Sequence, residues 1–518
     1  MINKLNKFIL LGGGGVILIL ALTLRINFLE QKLDAHVDEI LSIILSEYNE
    51  YGWGKSFKEN KVITPDEAKS AILWNDSSLS GAFKDVYKLW KNNRDDPHTN
   101  FYYTILRLWH IGYTDTNIQH ILHRGAILNI LFFIIGFYFA YRIALRFQHN
   151  YMVLLFLSIA FLNPASINNT LFMRPYALQE MLFLIFCYGF ICTFDRLNLD
   201  YHKYNNWRYR ISFGFLTALL LSSGYFGSLF VFMVFFYATL WELEYCKPIK
   251  KYKMFFPLSS IIAILFCIIL YPKYFRGFRG SRGAEAGEKL NLDYFKESIL
   301  NNIDSFADIL SFNLSWVILI ITAIGLCLSL LYRNKLHNGD NRLIVFLGIC
   351  ALIWSFVVIY VAPYKTLRYI MPIFPILLLL TPYAVNVINN VLSVYNINKT
   401  FRNVIVGIMC IACVYAVFPK DKSKITFINY GIVESQPTRD NNQMVVIMLQ
   451  ASYLYANIIP YLNTNMIFLN NCEKLPNVIS KYGRIELIID ENKCNLDNYN
   501  ITQFWSAGGL NSIIVKAK

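Results

Sequence analysis

Long apolar blocks separated by short polar stretches set the rhythm of this chain. They run over Phe8–Leu24, Ala126–Ala144, Tyr151–Ile167, Tyr176–Phe194, Ile211–Leu240, Met254–Tyr271, Asn313–Tyr332, Leu343–Val361, Tyr369–Ile388 and Asn403–Phe418. A helix needs about twenty apolar residues to cross about 30 Å of hydrocarbon, so each block predicts a transmembrane helix. Ile211–Leu240 is longer, has basic loops at both ends, and carries Ser222-Ser223-Gly224-Tyr225-Phe226-Gly227 in its middle as a turn signal. It is predicted to cross twice, giving about eleven transmembrane helices. One long tilted helix is the alternative, and it would strand a basic loop outside.

Two polar regions have patterns of their own. In Val37–Tyr51, Ile40, Leu41, Ile44, Leu45, Tyr48 and Tyr51 recur at three- and four-residue steps, which predicts an amphipathic helix lying at the membrane interface. Thr64-Pro65-Asp66-Glu67 has capping-box spacing with proline at the first helical position, and a third helix carries Leu79, Phe83, Val86, Tyr87 and Trp90. Beyond Pro419 the texture changes to strands at Met444–Leu449, Met466–Leu469, Ile485–Asp490 and Ser512–Lys516, with a helix at Ala451–Leu462. The expected organisation is an α-helical polytopic membrane domain, residues 1–418, whose first external loop (25–123) is itself helical, followed by a small external α/β domain, 419–518.

Composition agrees, with 55% hydrophobic and 16% aromatic residues. The net charge of +14 would suggest nucleic acid, yet Lys4, Lys7, Arg142, Arg146, Arg196–Arg210, Lys247–Lys253, Arg333–Arg342, Lys399 and Arg402 lie before the first block and in alternate short loops, all on one predicted side. Orientation accounts for them: a multi-pass protein of the cytoplasmic (inner) membrane, amino terminus inside and carboxyl terminus outside, with no nucleic-acid partner. The first block lacks a small-residue cleavage site and reads as a retained anchor. Pro272–Phe312 departs from the rule, since it carries Arg276, Arg279, Arg282 and Lys289 on the outer side among glycines. Such a loop suits either a substrate phosphate or the anionic headgroups of membrane lipids. Cys472 and Cys494 are the cysteines predicted to lie outside together, where a disulfide is open to them; the others read as small buried apolar residues.

Asp38 and Glu39 stand about a dozen residues past the first block. A carboxylate close to hydrocarbon is costly and marks an ion path, a proton relay or a reaction, against the blander reading of a solvated loop acid. Arg124, Arg174, Lys365 and Arg368 are outer-side cations, with Tyr176 and Tyr369 beside two of them at span mouths. Snorkelling anchors and an interfacial aromatic belt are the competing readings.

Several landmarks then follow in a fixed order: Asp38-Glu39 after the first span, Asp96-Pro97-His98 running into Phe101-Tyr102-Tyr103, Arg124, Asn163-Pro164, Arg174-Pro175-Tyr176-Ala177-Leu178 and Arg368-Tyr369-Ile370-Met371-Pro372. In this order the chain resembles the glycosyltransferase-C superfamily, near the protein O-mannosyltransferases and the aminoarabinose (lipid A) transferases, from Phe8 to about Ile388. The resemblance implies transfer of a sugar from a polyprenyl-phosphate donor to an acceptor outside the cytoplasmic membrane, whether glycolipid, glycan or protein, with inversion at the anomeric carbon. It implies Asp38 as general base, and Glu39 as its neighbour or, with His98, a ligand to a divalent metal ion. Asp96 and His98 match the second acidic motif in part, since Thr99 and Asn100 stand where two prolines are usual. The donor phosphate would fall to Arg174, Tyr176, Lys365, Arg368, Tyr369 and the Arg276, Arg279, Arg282 cluster, with Arg124 supporting the site.

The chemistry asks for these groups on its own terms. Sugar transfer passes through an oxocarbenium-like state, so a carboxylate takes the acceptor proton while cations stabilise the departing phosphate. The rival class is a transporter or flippase of lipid-linked sugars, which places its acids and arginines at the midplane of related halves. Neither feature is evident in the sequence.

Overall fold

Hydrocarbon-length helices dictate the architecture. The computed structural model describes residues 4–95, 98–147, 149–245, 254–289, 291–334, 341–435, 443–449, 452–489, 494–507 and 510–518. Asp96, Cys246, the basic stretch Lys247–Lys253 and residues 335–340 of the Arg333–Arg342 loop lie outside the described residues.

The chain begins with α1 (Lys4–Glu30), then a helical insertion of α2 (Val37–Ser46), the short strand β1 (Val62–Ile63), α3 (Pro65–Leu73), α4 (Leu79–Lys91) and α5 (Phe101–Trp109). The bundle continues with α6 (Ile118–Ala144), α7 (Asn150–Phe161), α8 (Pro164–Leu171), α9 (Tyr176–Leu199), the single turn α10 (Tyr201–Tyr204), α11 (Trp207–Ser223), α12 (Gly227–Tyr245) and α13 (Phe255–Leu270). After α14 (Ser281–Lys289) come α15 (Leu292–Leu331), α16 (Arg342–Val361), α17 (Phe374–Leu377), α18 (Leu380–Val394) and α19 (Lys399–Val417). The remainder is α20 (Ile432–Ser435), β2 (Met444–Met448), α21 (Ser452–Ile458), β3 (Met466–Phe468), α22 (Leu475–Tyr482), β4 (Arg484–Ile489), β5 (Tyr499–Ala507) and β6 (Leu510–Ala517).

Among the described residues, eight helices are long and apolar enough to cross a membrane, and the bent pair α7–α8 makes a ninth. α13 is a shorter apolar helix, so the described helices account for eight or nine of the eleven expected crossings by length and apolarity, with α13 as a further short one. The predicted break within Ile211–Leu240 is present: α11 stops at Ser223 and α12 starts at Gly227. Gly224 sits there because a Cβ would lie 2.3 Å from Gln179 Nε2, which donates to Ser223 O at 2.8 Å. Gly325 plays a similar part where α15 meets α18, since its Cβ would fall 2.3 Å from Ala384 Cβ.

Two spans are broken where the sequence carries proline. At Asn163-Pro164 the axis turns by 51°. Asn163 caps Ser166 N–H and donates to Ile159 O and Ala160 O, while buried Arg25 donates to Phe161 O and to Ser166 O and Oγ. The carbonyls freed by the bend therefore keep donors away from water. The block Tyr369–Ile388 is likewise not one helix: Pro372 and Pro375 divide it into 3-10 turns and α17 before α18 resumes.

The expectation that α2 lies at the interface is overturned. Its apolar face enters the core, and Glu39, Ser42 and Ser46 on its other faces are buried too. Periodicity finds an apolar face but not what covers it. Within the first loop α4 keeps an apolar stripe outward, with Leu79, Phe83, Tyr87 and Trp90 exposed, and Trp90 Nε1 donates to Ile269 O at the end of α13.

At the far end of α2, Glu47 lies 3.4 Å from Arg107 Nε, which also holds Asp85 at 3.1 Å. Burial, helped by Asp85 and opposed by Arg107, pushes the Glu47 carboxyl up to about 8 from an ordinary 4.5. A raised acid binds its proton in the folded state first, so it stabilises below about pH 4.5 and loses that contribution as pH rises through 8. Thermal unfolding of Glu47→Gln is expected to vary less between pH 5 and 9 than that of the unaltered chain.

The carboxyl-terminal residues form one six-stranded sheet in the order β1-β3-β2-β4-β6-β5, with β2 parallel to β3 and β4 and the other pairs antiparallel. Its edge strand β1 comes from the first loop, pairing Val62 with Ile467. Cys472 and Cys494 form a disulfide.

Candidate active site

The segment leaving α1 is pinned before α2 begins. Lys32 Nζ, wholly buried, donates to Glu39 Oε2 at 3.0 Å and to Phe427 O at 2.6 Å. Asp34 accepts the backbone N–H groups of Tyr430 and Ile432 at 2.6 and 2.7 Å. Glu39 also accepts from His36 N–H at 3.0 Å and from Met173 N–H at 2.8 Å. It thus ties the start of α2 to the joint between α8 and α9, and both of its oxygens are engaged.

Asp38, one position earlier and so turned about 100° around the helix, faces a different group. Arg368 Nη1 donates to its Oδ2 at 2.6 Å. Arg174 Nη1 donates to Asp38 O, Ser42 Oγ and Tyr103 Oη at 3.2, 3.3 and 3.2 Å, and its Nη2 meets His98 Nε2 at 2.9 Å. Arg174 is 3% exposed, whereas the side chains of Asp38 and Arg368 keep 20% and 18% of their surface. Burial pushes the Asp38 carboxyl up, but Arg174 and Arg368 together outweigh it and hold it below the usual carboxylate range. His36 caps α2 through Nδ1, which accepts from Asp38 N–H at 3.1 Å. Burial, with the charges of Arg368, Arg174 and Lys32 outweighing the pull of Asp38, lowers its pKa to about 4. Its ring lies 5.0 Å from Tyr430 and 5.6 Å from Phe172, which stacks on Phe427 at 4.0 Å and lies 5.9 Å from Tyr176.

Around Arg368 the cations thin out towards solvent. Tyr369 Oη accepts from its Nη2 at 3.4 Å, and Tyr364 lies between it and Arg282, with centroids 5.9 and 5.7 Å from the two guanidinium carbons. Arg282 is paired with Glu285. Arg276, Arg279 and Lys365 are exposed. Arg124 exchanges hydrogen bonds with Trp109, donating to its carbonyl at 2.7 Å while Trp109 Nε1 donates to Arg124 O, and so fixes the end of α5 on α6.

Asp38, Arg174, Arg368, His98, Tyr176 and Tyr369 are therefore gathered at one end of the bundle, and Asp96 lies outside the described residues. Sequence reasoning passed over Asp95, which holds His98, as well as Lys32 and the wall formed by Phe427 and Tyr430. No signal separates Asp95 from its neighbour Asp96, and the wall is some four hundred residues away in the chain. As a metal centre, Glu39 with His98 does not fit. Glu39 is filled by one ammonium and two N–H groups, and both nitrogens of His98 are taken, Nδ1 by Asp95 at 2.7 Å. Among the described residues no cluster of three or more His, Cys, Asp or Glu side chains is suited to a metal ion. What the arrangement offers is a carboxylate, partly open, between one fixed guanidinium and one held mainly by that carboxylate.

No protein-family model and no curated protein matches this sequence. Solved structures do match: ArnT from Cupriavidus metallidurans bound to undecaprenyl phosphate superimposes with a TM-score of 0.50 over 96% of this chain and 97% of that one, at 10% identity. The chain has the fold of that ArnT structure. ArnT in the apo state gives a TM-score of 0.44 at 9% identity, covering 92% of this chain and 96% of that one. An Archaeoglobus fulgidus oligosaccharyltransferase tethered to an acceptor peptide gives 0.46 at 9% identity, covering 92% and 68%. Within this fold, the site described above lies where α2, the α8–α9 joint and the turn before α17 converge.

Proposed function

We propose that this protein is a multi-pass membrane glycosyltransferase that moves a sugar from a polyprenyl-phosphate donor to an acceptor hydroxyl, with Asp38 as general base. The reading is carried by one observation: the Asp38 carboxylate and the guanidiniums of Arg174 and Arg368 share one partly buried spot. The ArnT structure of matching fold, solved with undecaprenyl phosphate, supports a donor of that class.

The reaction divides the charges. The acceptor oxygen attacks the anomeric carbon from the face opposite the phosphate, so the centre inverts. Its proton passes to Asp38 while the bond from the anomeric carbon to the phosphate oxygen breaks. The polyprenyl phosphate leaves with the bonding electrons, and its charge is met by Arg368 and Arg174. An arriving phosphate competes with Asp38 for Arg368. The carboxylate loses its close partner as the donor binds, its pKa rises, and it becomes the stronger base.

Arg368→Ala is expected to weaken undecaprenyl phosphate binding about ten- to a hundredfold, the effect of one charge-assisted contact. Titration of the purified protein with that lipid checks this, and unchanged affinity removes Arg368 from the donor site. Mass spectrometry of co-purifying lipid should find a polyprenyl phosphate or its glycoside. Its absence, together with no transfer to any acceptor, would count against the whole reading.

The site is proposed to face out of the cytoplasm, with the amino terminus inside. The disulfide Cys472–Cys494 supports this, because such bonds persist in oxidising compartments.

A further inference from the structure

Four side chains beside Asp38 close a ring of hydrogen bonds. Asp95 Oδ2 lies 2.7 Å from His98 Nδ1 and 3.3 Å from Tyr103 Oη, while Arg174 reaches His98 Nε2 at 2.9 Å and Tyr103 Oη at 3.2 Å. Directions within the ring follow from chemistry. A guanidinium only donates, so His98 Nε2 must accept; the imidazole is then neutral, with its proton on Nδ1 given to Asp95. Tyr103 accepts from Arg174 and donates to the same carboxylate. The loop that carries Asp95 and His98 is anchored from behind, since Asn93 Nδ2 donates to His98 O at 2.5 Å and Asn93 Oδ1 accepts from Tyr271 Oη at 2.8 Å.

We propose that Asp95, His98 and Tyr103 are positioning residues that hold Arg174 as the immobile positive pole of the site, with His98 serving solely as a hydrogen-bond acceptor for the guanidinium. Resting on the glycosyltransferase reading, this deepens it by dividing the two arginines. Arg174 is locked by Asp38 O, Ser42, Tyr103 and His98, whereas Arg368 has one short bond, to Asp38, and is the exchangeable partner of the donor phosphate. A base or a metal ligand at His98 would need the Nε2 lone pair that Arg174 occupies.

The test compares His98→Gln with His98→Ala and Asp95→Ala. A glutamine amide accepts from Arg174 through Oε1 and donates to Asp95 through Nε2, but at neutral pH it neither takes up a proton nor binds a metal well. His98→Ala and Asp95→Ala should raise the donor KM about tenfold or more with a smaller change in kcat, and His98→Gln should restore KM to within about threefold of the unaltered protein. His98→Gln as inactive as His98→Ala would overturn the assignment, as would unchanged kinetics in Asp95→Ala.

A second measurement does not depend on turnover. In ¹⁵N-histidine spectra of the detergent-solubilised protein, the signal lost in His98→Gln should be a neutral imidazole protonated at Nδ1. An imidazolium or the other tautomer there sinks the ring whatever the substrate proves to be. The expected tautomer without donor binding would leave the ring standing and refute the glycosyltransferase reading instead.

Discussion

Asp38→Asn should reduce sugar transfer by roughly 10²–10⁴-fold, the contribution of a well-placed general base, equivalent to about 3–5 kcal/mol in the barrier. Its effect on donor binding should run the other way. The carboxylate is the group now holding Arg368, at 2.6 Å, so neutralising it releases the guanidinium to the incoming phosphate. Undecaprenyl phosphate is therefore expected to bind Asp38→Asn at least as tightly as it binds the unaltered protein, while kcat collapses. Single-turnover assays beside lipid titration separate the two, and full activity in this variant would refute Asp38 as the base.

Glu39→Ala should fail at an earlier stage. It leaves the Lys32 ammonium buried with only Phe427 O, and strips the Met173 and His36 N–H groups of their acceptor. Removing one partner of a buried pair typically costs about 3–5 kcal/mol, a large share of the about 5–15 kcal/mol by which proteins are usually stable. Thermal unfolding in detergent and the yield of monodisperse protein are the measurements. A melting temperature equal to that of the unaltered chain would show that Lys32 finds another partner or loses its charge. The double change Lys32→Met with Glu39→Leu should recover much of the loss, because two apolar side chains leave no orphaned charge. On the proposed reading the two adjacent acids have separate duties, Asp38 in chemistry and Glu39 in assembly.

The sequence discloses the membrane bundle well because hydrocarbon imposes length and apolarity directly on each span. Even the helix break within Ile211–Leu240 follows from the turn in its middle, between basic residues at both ends. Asp38, Arg174 and Arg368 are legible one by one, since a charge at a span mouth is costly and stands out. Their convergence is not, because it depends on the bend at Asn163 and the broken helix after Arg368, which place three distant segments around one point. α2 shows a further limit. Its apolar period is plain, yet whether that face meets lipid or protein depends on α5 and α21, and polar Ser42 and Ser46 are buried with it. β1 and β5 escape notice for another reason: one is two residues long and the other is largely polar and exposed, so neither carries the apolar run that reveals β2 and β4.

The clasp between the first loop and the segment after α19 has a bearing on how the protein is made. Lys32 and Asp34 leave the ribosome early, but their partners Phe427, Tyr430 and Ile432 follow almost four hundred residues later. Until then a nascent chain carries Asp34 without its N–H partners and Lys32 with Glu39 alone, and the aromatic wall beside His36 is missing. Contacts this remote in sequence form late and slowly. A polypeptide interrupted after its last span should enter the bilayer yet be recognised by quality control as incomplete, so the surroundings of Asp38 are complete only with the final fifth of translation.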